Sequence, residues 1–162
     1  MVEFLISHST KFHVASVGEG GDYNPGCFSG YGMHQWTKIY DNTFGGPPWG
    51  ETLKNYVDFS PFFYVEKIKT PLLMEFSLCP TGGLEMYVPL RYLDIPAELV
   101  TYDDEHNFVK PKARLASMKH KVEWFNFWFF DQRDPTKPEQ YHRWDQMRAA
   151  FTKRYFTSDC EE

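Results

Sequence analysis

The sequence predicts an α/β fold in which about three parallel strands are flanked by helices. Three short runs of apolar and β-branched residues alternate with longer segments of helical periodicity. Strands that alternate with helices usually pair in parallel, because the helix returns the chain to the same edge of the sheet. At 162 residues, 42% of them hydrophobic, the chain can form one domain with a core. We therefore predict a single domain over 1–162 with a frayed tail at 158–162.

The predicted strands cover 12–17, 72–76 and 97–102. The first is short, contains Val14 and Val17, and runs into a glycine-rich turn that begins at Gly18. The second follows a Thr70-Pro71 break, and proline ends the helical turn that precedes it. The third is apolar and leads into a polar turn. All three have the length and composition that are typical of buried strands.

Helical segments are predicted on both sides of each strand. Ser60 is expected to cap the turn that starts at Pro61, because proline suits the first turn of a helix. The predicted segments are a helix ending near Ile6, short helices around Trp36 and Leu53, a turn over 61–68, helices over 84–93 and 112–130, and a last helix around Trp144.

Two of these helices have apolar spacings that predict which face is buried. In the segment 84–93, which Pro89 must kink or restart, we expect Leu84, Tyr87 and Tyr92 to face the core. In the segment 112–130 the predicted inward stripe has a spacing of three or four residues. It consists of Leu115, Met118, Val122, Phe125 and Phe129.

Composition argues against several classes of function. A net charge of −5 is unfavourable for a nucleic-acid surface, which needs clustered Lys and Arg. No apolar run approaches the ~20 residues of a membrane-spanning helix, and the apolar start lacks the basic flank of a signal peptide. Three cysteines form no CxxC pair, so they are interpreted as ordinary thiols and the compartment stays open.

No cofactor or metal site is predicted. The loop Gly45-Gly46-Pro47-Pro48 does not resemble a phosphate cradle. The spacing of His8, His13 and His34 fits no helical metal site. Asp103, Asp104 and Glu105 are interpreted as a solvated acidic loop rather than as metal ligands.

Several short motifs, taken in order, resemble a known family. They are Tyr56-x-x-Phe59-Ser60-Pro61, Ile68-Lys69-Thr70-Pro71-Leu72-Leu73 and Tyr102-x-x-Glu105-His106-Asn107-Phe108, followed by Asp134-Pro135-x-Lys137-Pro138-Glu139-Gln140-Tyr141-x-Arg143-Trp144. Together they are similar to the C-terminal half of the catalytic domain of prolyl oligopeptidase family serine peptidases, which include dipeptidyl and acylaminoacyl peptidases. The resemblance implies a partial α/β-hydrolase fold that lacks the N-terminal half of the sheet.

The resemblance also implies a catalytic role for one residue. In this family the triad runs Ser, Asp, His along the chain, and the histidine follows the last strand. His106 follows the third predicted strand, so it is expected to take the proton of a serine nucleophile and pass it to the leaving amine. Peptides are the implied substrates.

Two other parts of the triad are missing from the pattern. No serine stands in a G-x-S-x-G elbow, and the resemblance of Phe4-Leu5-Ile6-x-His8 to the helix after the elbow places the nucleophile upstream of Met1. The loop Ser77 to Gly83 is shorter than in the family and has no acid. Glu75 and Glu85 flank that loop and are the candidates for orienting the imidazole.

Three functions therefore remain open. The first is a serine peptidase whose C-terminal part is inactive alone and works only with a separate N-terminal piece that supplies the nucleophile. The second is a non-catalytic hydrolase remnant that acts as an interaction module. The third is an esterase-like relative, since the fold does not fix the substrate.

Overall fold

A computed structural model describes residues 1–20, 34–77 and 81–156; the predicted frayed tail lies outside these residues. The strands are β1 (Ala15–Gly18), β2 (Leu72–Phe76) and β3 (Ala97–Thr101). The α-helices are α1 (Val2–His8), α2 (His34–Phe44), α3 (Leu53–Phe59), α4 (Thr81–Tyr92), α5 (Pro111–Phe130) and α6 (Pro138–Phe156). Two 3₁₀ helices cover Gly50–Thr52 and Pro61–Lys67.

The described residues form a three-stranded parallel sheet in the order β1-β2-β3, which confirms the predicted fold class. Ala15 pairs with Leu72, and Leu72 pairs with Ala97, so the three strands start at one level and end at one edge. The first strand begins later than predicted, at Ala15, and Phe12 lies outside it and is 40% exposed.

Both faces of the sheet are covered by helices. Leu72, Met74 and Phe76 of β2 belong to a core with Ile6 of α1 and Met86 of α4. The alternate residue Leu73 packs on the other face, in an aromatic core whose remaining members come mainly from α5 and α6. Those members are Val14, Trp124, Phe127, Tyr141 and Trp144. Because β2 is the central strand and is buried on both faces, its sequence is apolar at every position except Glu75.

The inward face predicted for α4 is wrong at two of its three positions, since Tyr87 packs against the core as predicted but Leu84 and Tyr92 do not. Leu84 is 43% exposed and Tyr92 is 81% exposed, whereas Met86 and Leu90 are fully buried against the sheet. The helix also starts earlier than predicted, so that Gly83 is helical. A Cβ atom at Gly83 would lie 2.5 Å from the Phe76 ring. The helix therefore lies so close to β2 that only glycine fits at this position.

The inward stripe predicted for α5 is wrong at four of its five positions, and Phe125 alone of the five packs against the aromatic core. Leu115, Met118, Val122 and Phe129 are each at least half exposed, and the residues that α5 buries are Ser117, Trp124 and Phe127. The helix is apolar on more than one side, because its C-terminal half is an almost continuous aromatic run. A spacing of three or four residues therefore fits several faces, and contact with the sheet selects one of them.

The segment between β1 and β2 carries its own small aromatic cluster. Helices α2 and α3 cover the predicted positions near Trp36 and Leu53, and they bury Tyr40, Phe44 and Tyr56 together. The segment continues into the 3₁₀ helix that starts at Pro61. Ser60 precedes that helix but forms no side-chain capping bond, contrary to the prediction, and its hydroxyl is buried.

Candidate functional site

His106 lies at the edge of the sheet where the three strands end. It stands in a turn that follows β3, and its side chain is 74% exposed. With Gly18, Glu19, Asn107 and other residues it lines an open cavity of about 300 Å³. In parallel sheets such a crevice beyond the carboxyl ends of the strands is where ligands bind.

A carboxylate that sequence reasoning did not single out lies beside this imidazole. Nδ1 of His106 is 3.3 Å from Oε2 of Glu19, the residue that directly follows β1. The other carboxylate oxygen of Glu19 accepts a hydrogen bond from the backbone N–H of Ser77, just beyond β2. The sequence signal for Glu19 is a single acid between the end of a strand and a Gly-Gly pair.

The loop that carries His106 is organised by Asp104. This side chain is only 2% exposed, although the sequence predicted a solvated acidic turn. Its Oδ1 accepts from the backbone N–H groups of Glu105 and Val109, at 2.8 and 3.1 Å, and its Oδ2 accepts from that of Lys110 at 3.0 Å. Asp104 therefore closes the loop around His106.

These contacts determine the pKa of Asp104. Burial disfavours the ionised form, but the three backbone donors and the charge of Lys110 outweigh it, so the pKa lies below its usual value. A carboxyl group with a lowered pKa in the folded state stabilises that state at all pH values above its unfolded pKa. Its contribution is lost as the pH falls through the folded pKa.

We expect Asp104→Asn to loosen the loop without unfolding the sheet. The amide has one acceptor oxygen in place of two, so at least one of the three backbone donors loses its partner. Amide hydrogen exchange at Val109 and Lys110 should become faster at neutral pH, and exchange in β2 should not change. Asp103→Asn is the matched control, since its side chain is 87% exposed. Equal exchange in both variants would contradict this role for Asp104.

Glu75, one of the two predicted orienting acids, does not contact His106. It is fully buried, and it accepts hydrogen bonds from the hydroxyls of Tyr102 and Ser117, each at 3.0 Å. Lys121 of α5 lies 2.7 Å from the same carboxylate. The side chain of Glu75 therefore links β2 to α5 and to the residue after β3. Glu85, the other candidate, lies on α4 and is partly buried.

The buried polar cluster around Glu75 borders the His106 cavity, because Lys121 lines both. Burial raises the pKa of Tyr102, and the Glu75 carboxylate raises it further, since a tyrosinate would lie against a negative charge. Tyr102 therefore remains a neutral hydrogen-bond donor to Glu75.

A second polar cluster lies away from the cavity, between β3 and the helices α5 and α6. Glu98 contacts Nε2 of His120 at 3.2 Å and accepts a hydrogen bond from the indole of Trp144. Burial opposes ionisation of Glu98, but these contacts and the charge of Arg143 lower its pKa overall. Since Trp144 is fully buried, this cluster anchors α6 rather than forming a site.

The described part of the chain contains no group of three His, Cys, Asp or Glu side chains that could hold a metal ion. Its helices include none that is both long and apolar enough to cross a bilayer. Among the side chains described in 1–20, 37–77 and 83–156, no serine, threonine or cysteine hydrogen-bonds to His106. The site thus contains an imidazole and a carboxylate, which can move a proton to or from a group brought into the cavity.

Two known proteins with similar sequences are peptidases. No family model matches the chain. The lasso peptide isopeptidase AtxE2 of Asticcacaulis excentricus is 32% identical over 148 residues, which cover 89% of this chain and 19% of that protein. Dipeptidyl-peptidase 5 of Schizosaccharomyces pombe is 31% identical over 87 residues, or 50% of this chain and 13% of that protein.

Solved structures give the same result. A variant of the AtxE2 isopeptidase with Astexin3-dC4 bound matches 92% of this chain with a TM-score of 0.74 and 26% identity. The acylaminoacyl peptidase of Pyrococcus horikoshii matches 82% with a TM-score of 0.66 and 21% identity, which supports the fold alone. The matches cover 23% and 22% of those two chains. The three parallel strands and their helices thus correspond to part of an α/β-hydrolase, and the chain is a homologue of prolyl oligopeptidase family peptidases that spans about a fifth of their length.

Proposed function

We propose that this chain supplies the histidine of a serine peptidase site, with His106 as the general base. The observation that carries the proposal is the position of His106, on a turn beyond the last parallel strand and in an open cavity. The homology to peptidases of the prolyl oligopeptidase family supports the same role. A nucleophile is not among the groups bonded to His106 in the described residues, so it comes from polypeptide outside them, in the same protein or in a separate N-terminal piece.

The reaction then follows the usual course of acyl transfer. The imidazole takes the proton of a serine hydroxyl as its oxygen attacks the carbonyl carbon of a peptide bond. The tetrahedral intermediate collapses when the imidazolium gives this proton to the leaving amine, and an acyl-enzyme remains. Water, deprotonated by the same imidazole, hydrolyses the ester and regenerates the serine. Since AtxE2 is named for lasso peptides, a lasso peptide is the first substrate to test.

A chimera tests this function directly. Residues 1–162 replace the matching segment of AtxE2, and hydrolysis of its lasso peptide is measured together with labelling by a serine-directed fluorophosphonate. We expect the chimera to be active and His106→Gln to lower kcat by roughly 10²-fold or more, the usual contribution of a general base. The matched control is His142→Gln on α6, whose side chain is exposed.

The result that contradicts the proposal is a His106→Gln chimera as active and as readily labelled as its parent. Circular dichroism and thermal melting of each variant separate a loss of activity from a loss of folding. In a second format, the chain is added to AtxE2 that lacks the matching segment. Recovery of fluorophosphonate labelling in this mixture supports a separate N-terminal piece, and no recovery contradicts that version.

A further inference from the structure

We propose that Glu19 is the positioning residue that orients His106, in place of the triad aspartate that the family resemblance implies. This inference rests on the proposed role of His106 as a general base. The sequence has no acid between Ser77 and Gly83, and the buried Glu75 faces Ser117 and Lys121. Glu19 approaches the imidazole from the end of β1, the strand that pairs with β2.

The carboxylate of Glu19 is held from two sides. Its Oε1 accepts the backbone N–H of Ser77, and its Oε2 faces Nδ1 of His106 at 3.3 Å. The Glu19 side chain is only 16% exposed, so little water competes for it. One oxygen is therefore fixed by the end of β2 and the other is available to the imidazole, which is the arrangement that an orienting acid needs.

The backbone of Glu19 supports this placement. Its N–H donates to the carbonyl oxygen of Glu75 at 2.9 Å, which extends the pairing of β1 with β2 by one residue. Its φ angle is +51°, a left-handed conformation that is unusual for glutamate. A Cβ atom at the next residue, Gly20, would lie 2.6 Å from Oε1 of Glu3, so the chain is closely confined beside α1. Sparsely populated backbone conformations of this kind are concentrated at functional sites.

The contact favours one imidazole tautomer. A carboxylate 3.3 Å from Nδ1 favours the neutral ring that carries its proton on Nδ1, because that proton then lies beside a negative charge. Nε2 is then left as the acceptor, which is the form that can take a proton from a serine hydroxyl. Free neutral histidine prefers the opposite tautomer, with the proton on Nε2. Glu19 therefore converts a minor form of the ring into the form required for catalysis.

Glu19→Gln is the decisive substitution because it keeps the size of the side chain. The amide oxygen remains paired with the Ser77 N–H, so the amide NH₂ turns toward Nδ1 of His106. Nδ1 must then accept, and the proton moves to Nε2. Glu105→Gln is the matched control, because Glu105 is exposed and adjoins His106 in sequence. Glu19→Asp is a second variant, which keeps the negative charge on a side chain that is one methylene shorter.

The test is ring ¹⁵N NMR of the 162-residue chain at roughly pH 8.5, about two units above the ordinary histidine pKa. We expect the Nδ1–H tautomer at His106 in the parent and in Glu105→Gln, the Nε2–H tautomer in Glu19→Gln, and a mixture in Glu19→Asp. A parent ring with its proton on Nε2 overturns the inference, and so does a Glu19→Gln ring that stays unchanged.

Kinetics of the AtxE2 chimera separate this inference from the proposed function. We expect Glu19→Gln to lower kcat by about 10²-fold or more with little change in KM, because in this role Glu19 acts on the imidazole and not on substrate binding. If His106→Gln abolishes activity and Glu19→Gln does not, the role of Glu19 is wrong and the role of His106 stands. If neither variant loses activity, the proposed function is wrong. The NMR measurement of the tautomer still shows whether Glu19 contacts His106.

Discussion

Replacing Trp144 with alanine should destabilise the fold by about 3–5 kcal/mol, the range for removing a large buried aromatic side chain. Trp144 is fully buried, and its ring centroid lies 5.1 Å from those of Trp124 and Tyr141 and 5.3 Å from that of Phe127. Its indole N–H also donates to Glu98 of β3. The truncation therefore opens a cavity between the sheet and two helices and removes a hydrogen bond.

Urea unfolding followed by tryptophan fluorescence and by circular dichroism measures this loss. Trp49→Ala is the matched control, since Trp49 is 61% exposed and the change should alter the free energy of unfolding far less. Trp144→Phe separates packing from hydrogen bonding, because it keeps most of the ring contacts and removes only the donor. Equal unfolding free energies for Trp144→Ala and Trp49→Ala would show that α6 does not pack on the sheet as described.

The second large effect is expected at Glu75. Its carboxylate is fully buried, and Glu75→Ala leaves the hydroxyls of Ser117 and Tyr102 without their acceptor. Buried donors that lose their partner are costly, so we expect a loss of about 3 kcal/mol. Lys121 adds less to this loss, because its side chain is 38% exposed and water can solvate the ammonium group.

Thermal and urea unfolding of three variants tests the role of Glu75. Glu75→Gln retains an acceptor oxygen and most of the volume, so its loss should be smaller than that of Glu75→Ala. Glu51→Ala, at an exposed position of a 3₁₀ helix, is the surface control. A Glu75→Ala protein as stable as Glu51→Ala would mean that the buried cluster contributes nothing to the fold.

The strands could be predicted because their signal is local. β2 is apolar except for Glu75 and is buried on both faces, and its predicted and observed bounds agree, Leu72–Phe76. The edge strand β1 is only four residues long, and its predicted start was three residues too early. Apolar content marks a buried strand, but the residue at which pairing begins depends on the neighbouring strand.

The buried faces of the helices were predicted less well. On α4 the sequence offers several apolar residues, and the structure buries Met86 and Leu90 while Leu84 remains exposed. On α5 four of the five predicted residues face outward and Phe125 is partly buried, whereas Trp124 and Phe127 face the sheet. When a helix is apolar on several sides, its periodicity does not choose among them.

The parallel α/β fold, the order of its elements and the position of His106 after the third strand could be predicted from the sequence, because strand and helix signals lie in consecutive residues. The carboxylate that meets the imidazole could not be predicted, because the contact joins segments that are far apart along the chain. Glu75 and Glu85 were the candidates by position along the chain, whereas Glu19 lies beside His106. Three parallel strands bring their ends to one edge, so a residue that follows the first strand can contact a residue that follows the third.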